Sequence, residues 1–141
     1  FTSETLDHDD NGNVLDDTPN NADDFGEGKK EAKIHIHSEA PIASLNVKIV
    51  SNFLTEDMLS GVGLTSEFDL ANPVKNGTDY TEGLKGLGFK VGDEVKGETD
   101  LDFDITTFMP LIVMAGDHKF IITVKDENGV SKTLSLLIRK S

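Results

Sequence analysis

The residues best suited to chemistry lie in an acidic stretch near the start of the chain. Residues 7–14 read DHDDNGNV, which matches the opening of an EF-hand-type calcium loop. Calcium prefers about six to eight oxygen ligands, and the glycine permits the sharp turn that brings alternate carboxylates together. The predicted calcium ligands are the side chains of Asp7, Asp9 and Asn11 and the carbonyl of Asn13, with Asp16 or Asp17 completing the shell.

The same stretch departs from the motif at its far end. The bidentate acid expected at the twelfth loop position would fall on Thr18, and no helix-forming pattern flanks the loop. A solvated acidic linker is therefore the alternative interpretation, because Asp, Asn and Gly are common in linkers as well. The calcium site is a hypothesis at this point.

Two further groups of metal-binding residue types lie on predicted strands. His35 and His37 share one strand face, a pattern more typical of an exposed face than of a metal site. Asp100, Asp102 and Asp104 also alternate, and same-face neighbours on a strand are about 6.6–7 Å apart. That spacing is too wide for one calcium ion to bridge adjacent carboxylates, so we expect a charged, solvent-exposed face there.

The sequence does not point to an enzyme. It contains no Cys, no G-x-S-x-G motif and no P-loop. Four glutamates, Glu56, Glu67, Glu82 and Glu98, lie in predicted caps or on wet strand faces and form no recognisable glycosidase pair. A hydrolase with a Ser-His-Asp triad is the remaining alternative, because such a triad is recognised by geometry and not by sequence position.

The clearest structural pattern is a hairpin at residues 117–139. Apolar and polar residues alternate on both sides of a D-E-N-G turn, so each arm has one buried and one wet face. Similar alternation predicts further strands near residues 31–38, 42–51, 64–70 and 99–105. Short helices are predicted after Thr55 and after Asp79, and a buried helix is predicted in the apolar run 106–116.

These elements predict a mainly β fold. Several antiparallel strands with short helices in the connections indicate an immunoglobulin-like β-sandwich, and an α+β sheet is the alternative. The sandwich is expected to occupy residues 29–141. Residues 1–28 contain few apolar side chains and are predicted to form an acidic, flexible linker or tail.

The net charge of −13 at pH 7 is concentrated at the N-terminal end. Residues 1–28 hold nine of the 26 acidic residues and no Lys or Arg. An acidic surface repels phosphate, which argues against nucleic acids and anionic membranes as partners. No apolar run approaches the roughly 18 residues of a transmembrane helix. The chain begins at Phe1, which suggests processing or truncation and places any signal or lipid anchor outside this sequence.

Several segments resemble domains of unknown function in Bacteroidales cell-surface or periplasmic lipoproteins. They are residues 41–51, LTSEFDLANP at 64–73, FDITTFMPL at 103–111 and HKFIITVKDENGVSKTLSL at 118–136. The resemblance covers roughly residues 30–141. It implies an immunoglobulin-like module that follows an acidic linker, lies outside the cytoplasm on a lipid anchor, and serves glycan capture or adhesion. It implies no catalytic residues.

We therefore expect a monomeric, non-catalytic surface module with a structural or protein-interaction role. The partner is expected to be a protein or a glycan at the cell surface. Since Trp is absent and Tyr80 is the only Tyr, aromatic platforms for sugars are scarce and a protein partner is favoured. The alternative function is calcium-dependent adhesion through the Asp-rich loop, with calcium as the only expected cofactor.

Overall fold

The computed structural model describes residues 1–3, 6, 8–25, 30–51, 54–61, 64–75, 77–86, 89–106 and 115–140. The strands are β1 (Pro19–Asn21), β2 (Lys33–His37), β3 (Ile42–Val50), β4 (Glu67–Asp69), β5 (Val74–Lys75), β6 (Thr78–Asp79), β7 (Asp100–Asp104), β8 (Gly116–Asp126) and β9 (Ser131–Lys140). The α-helices are α1 (Glu56–Ser60) and α2 (Thr81–Gly86), and short 3-10 helices span Ala22–Asp24 and Gly92–Glu94. None of the helices in these ranges is long and apolar enough to cross a membrane.

The main sheet has five strands in the order β1-β9-β8-β3-β4. Its centre is the predicted hairpin, β8 and β9, whose turn is fixed by Asp126. The Asp126 carboxylate accepts hydrogen bonds from the backbone N–H groups of Asn128 and Val130 at 2.9 and 3.0 Å. Gly129 takes a φ of 84°, which an L side chain rarely adopts. Local turn chemistry and strand alternation therefore agree, as the sequence predicts.

The second sheet pairs β2 with β7 in antiparallel register. The inner side chains of both sheets form one core. From β2 and β7 come Ile34, Ile36, Leu101 and Phe103, and from the main sheet come Leu45, Val47, Ile49, Phe120, Ile122, Val124, Leu134, Leu136 and Ile138. A small β5–β6 ribbon stands apart as a third sheet.

This strand order is that of an immunoglobulin-like sandwich. In such folds the second and fifth strands pair in one sheet, while the third, sixth and seventh form the other. The pairing of β2 with β7, and of β3 with β8 and β8 with β9, reproduces that division. The predicted mainly β sandwich is confirmed.

The N-terminal segment differs from the expected flexible tail. Thr2 exchanges backbone hydrogen bonds with His35 of β2, at 2.8 and 2.7 Å. Further along, β1 pairs in parallel with β9, from Pro19 opposite Leu137 to Asn21 opposite Arg139. The segment therefore lies along β9 at one edge of the main sheet and contacts β2 at one edge of the second sheet. Its few apolar side chains are enough to hold the segment against the sheets, because most of them are buried. Leu6, Val14, Ala22 and Phe25 are all part of the core.

The short helices agree with the capping signals in the sequence. The Thr55 hydroxyl caps α1 by accepting a hydrogen bond from the backbone N–H of Met58. The Asp79 carboxylate accepts one from the N–H of Thr81 at the start of α2. The buried helix predicted for residues 106–116 falls mostly outside the described residues.

Candidate functional site

The predicted calcium loop forms a tight turn around Asp9. One Asp9 carboxylate oxygen accepts hydrogen bonds from the backbone N–H groups of Asn11 at 2.9 Å and Asn13 at 3.0 Å. Hydrogen bonding, first from the backbone of Asn13, lowers the pKa of Asp9. Gly12 has a φ of 84°, the conformation for which the motif uses glycine. The structure thus brings Asp9, Asn11 and Asn13 together, while Asp7 lies outside the described residues.

The other two predicted calcium ligands are engaged elsewhere. Asp16 accepts a hydrogen bond from the backbone N–H of Ser135 at 2.7 Å. Asp17 accepts one from the Ser135 hydroxyl at 2.8 Å and lies 3.1 Å from Lys119 Nζ. Both carboxylates therefore fasten the N-terminal segment to the main sheet. A calcium shell at Asp9 would need other oxygens.

A second cluster joins two strands that are 65 residues apart in sequence. His35 lies opposite Asp102, and His37 lies opposite Asp100, across the β2–β7 pair. We call these four residues the histidine–aspartate ladder. His35 Nδ1 is 3.0 Å from Asp102 Oδ1, and His35 Nε2 is 3.1 Å from Asp100 Oδ1. His37 Nδ1 is 2.9 Å from the same Asp100 oxygen.

The ladder is an electrostatically coupled group on an exposed face. Hydrogen bonding, first with Asp102 and then with Asp100, raises the pKa of His35. Hydrogen bonding, first with His37, lowers the pKa of Asp100, and hydrogen bonding with His35 lowers that of Asp102. The sequence shows that the histidines of β2 and the aspartates of β7 face outward, but it does not show that they lie side by side. The missing information was the register of β2 against β7, which no local pattern contains.

The structure also places a serine beside a histidine, a pair that sequence reasoning missed. Ser51 Oγ accepts a hydrogen bond from the backbone N–H of Leu54 and lies 2.5 Å from His118 Nδ1. This is the relation of a nucleophile to its base. However, His118 is only 2% exposed. The contact between the two side chains therefore links the end of β3 to strand β8.

A concave apolar surface lies at the loop end of the sandwich, between the β2–β3 connection and the β8–β9 turn. We call this cavity of about 170 Å³ the loop-end pocket. Its apolar lining comes from Phe1, Ile36, Val124 and Val130, and its polar lining from His37, Ser38, Glu39, Asp126, Asn128 and Lys132. Val130 is 57% exposed, which is the largest value among the exposed large hydrophobic side chains of the described residues.

The loop-end pocket lies at the end of the sandwich that carries the binding loops in variable immunoglobulin domains. In variable immunoglobulin domains the loops between the second and third strands and between the last two strands carry the binding residues. Here the corresponding connections border the loop-end pocket. No protein-family model, curated protein or solved structure matches the chain.

Proposed function

We propose that the chain is a non-catalytic immunoglobulin-like module that binds a protein partner through the loop-end pocket. The observation that carries the proposal is the exposed Val130 beside an apolar cavity between the two connections that immunoglobulin-like domains use for binding. An exposed apolar group at a concave site is unfavourable in water and gains stability when a partner covers it.

The size of the pocket suggests what enters it. Engineered apolar cavities of about 150 Å³ accept benzene. The loop-end pocket, at about 170 Å³, therefore has room for one aliphatic or aromatic side chain. Protein interfaces commonly place such an anchor in a desolvated pocket within a polar rim. Here the rim contains Lys132 and Glu39, whose side chain is 90% exposed.

We further propose that the module works outside the cytoplasm, in a lipid-anchored surface or periplasmic protein. The support is the resemblance of residues 30–141 to Bacteroidales lipoprotein domains. In that setting the module has a structural or protein-interaction role, accessory to a system that captures glycans. Its protein partner would be another component at the cell surface.

The test compares two exposed valines at opposite ends of the sandwich. Val130 is 57% exposed at the pocket, and Val50 is 45% exposed at the far end of β3. The wild-type chain and the Val130→Asp and Val50→Asp variants are each labelled with a fluorophore. Each is added to cells of the organism that makes the protein, after the gene for the protein has been deleted from those cells. We expect Val130→Asp to weaken cell binding at least about tenfold, because the partner would bury a charge in the lining of the pocket, while Val50→Asp binds normally. Equal binding by both variants would contradict the proposal.

Calcium-dependent adhesion is the second candidate function. It is favoured by the turn at Asp9, where the calcium motif has the folded form that its glycine permits. Two-dimensional amide spectra recorded during a calcium titration decide between the two functions. Shifts confined to residues 7–18 would support a calcium-ordered loop, and an unchanged spectrum at millimolar calcium would remove this candidate.

A further inference from the structure

The histidine–aspartate ladder combines imidazole and carboxylate groups from two strands on one exposed face. The outer residues of β2 alternate with buried ones, and so do those of β7, so all four side chains project to the same side. We propose that this ladder binds a zinc-class divalent transition-metal ion through His35 Nε2, His37 Nδ1 and the Asp100 carboxylate. This site adjoins the loop-end pocket, whose lining includes His37, and shares no residue with the calcium motif.

The distances from the Asp100 oxygen to the two histidine nitrogens support the proposal. Asp100 Oδ1 is 3.1 Å from His35 Nε2 and 2.9 Å from His37 Nδ1. Zinc bound tetrahedrally at about 2.0–2.2 Å from each ligand holds neighbouring ligand atoms roughly 3.3–3.5 Å apart. The two distances from the Asp100 oxygen are therefore a few tenths of an ångström shorter than the spacing that a bound zinc ion requires. A metal ion can replace the protons that these atoms now share.

Asp102 supplies a feature that metal-binding histidines commonly have. A ligating histidine usually donates its other ring N–H to a carboxylate, which fixes the tautomer and orients the ring. His35 Nδ1 lies 3.0 Å from Asp102 Oδ1. If His35 binds the metal through Nε2, Asp102 is therefore its positioning residue. A water molecule can complete the shell, because Glu39 Oε1 lies 3.7 Å from His37 Nε2, the ring nitrogen that does not bind the metal.

Metal binding requires the side chains of the ladder to turn. In the described part of the chain no three acidic or histidine side chains are already arranged to hold a metal ion. The side chains of His35, His37, Asp100 and Asp102 are 46%, 58%, 55% and 48% exposed, so they can turn without disturbing the core. The strand register fixes the spacing of their backbones.

The ligand types select the class of metal. Imidazole nitrogens suit zinc, copper and nickel, whereas calcium and magnesium prefer oxygen ligands. A bound ion would also bridge β2 and β7, the two strands of the second sheet. Because the ion would bind only the folded chain, zinc should raise the melting temperature of the domain.

The experiment titrates ZnCl₂ into chelator-treated full chain and follows binding by calorimetry. The variants are His35→Gln, His37→Gln and Asp102→Asn. His8→Gln is the matched control, since His8 is exposed but lies outside the ladder. We expect one zinc per chain, loss of that site in either ladder histidine variant, and unchanged binding in His8→Gln. Asp102→Asn should weaken binding about 10–100-fold, the usual cost of losing a carboxylate that orients a ligand.

Two readouts separate metal binding from effects on folding. The melting temperature of each variant in chelator shows whether the domain remains folded. The ¹⁵N resonances of the imidazoles should show zinc on Nε2 of His35 and on Nδ1 of His37, and calcium should leave them unchanged. The proposal fails if zinc binding survives in both ladder histidine variants, if it is lost in His8→Gln, or if the wild-type chain binds no zinc.

Discussion

The Asp16 carboxylate accepts a hydrogen bond from the backbone N–H of Ser135 at 2.7 Å, and this contact joins residues 119 positions apart. Asn20 adds a second link, because its side-chain amide donates to the Leu137 carbonyl at 3.1 Å. With the parallel pairing of β1, these bonds occupy the outer edge of β9. An open strand edge is a site of aggregation, so the N-terminal segment protects the sandwich.

Loss of the Asp16 contact should therefore weaken the domain. We expect Asp16→Ala to lower the free energy of unfolding by about 0.5–1.5 kcal/mol, the usual contribution of one hydrogen bond. Urea unfolding measures this change, and hydrogen exchange should be faster at the Ser135 amide. Asp10→Ala, which removes an exposed carboxylate from the same segment, serves as the control. An equal effect of the two substitutions would refute the role of Asp16.

The neighbouring Asp17 gives the attachment a pH dependence. Its pKa is lowered, first by the hydrogen bond from Ser135 and then by Lys119. A carboxylate with a lowered folded-state pKa contributes stability above its unfolded pKa of about 3.9 and loses it as the pH falls through the folded value. The melting-temperature difference between wild type and Asp17→Asn should therefore be small but positive at pH 7 and shrink toward pH 3. A difference that grows on acidification would contradict this assignment.

The core of the second sheet depends on Phe103. This side chain is 2% exposed and stacks on Phe89 with ring centroids 5.4 Å apart. We expect Phe103→Ala to cost about 3–5 kcal/mol of stability, because it leaves a cavity in the core. Leu15→Ala, at a side chain that is 37% exposed, should cost far less. Chemical denaturation of both variants provides the measurement.

Much of this architecture could be predicted from local sequence. Alternation located the six main strands, and the turn residues Asp126 and Gly129 fixed the final hairpin. Strand β1 was not predicted, because three residues, PNN, carry no alternation and their partner is at the other end of the chain. The ladder was missed for a similar reason. Its histidines and aspartates meet only after β2 and β7 adopt one particular register.

Glycan binding would draw on Tyr80, the only Tyr in the chain. Tyr80 lines a groove of about 320 Å³ with Asn46 and Glu67. It also packs against the core, and the Asn46 amide already donates to Glu67 Oε2 at 3.0 Å. Because Tyr80 is partly buried against the core, it offers little ring surface on which a sugar could stack, so we expect no specific signal on a glycan array. A signal that Tyr80→Ala abolishes would reverse the preference for a protein partner.

The most direct test of the proposed function is photo-crosslinking in living cells. A photoreactive amino acid replaces Val130 in one version of the full-length protein and Val50 in another. We expect irradiation to join the Val130 version to one discrete protein species and to give no crosslinked species with the Val50 version. Crosslinks of the same species from both positions, or from Val50 alone, would show that the loop-end pocket is not the binding surface.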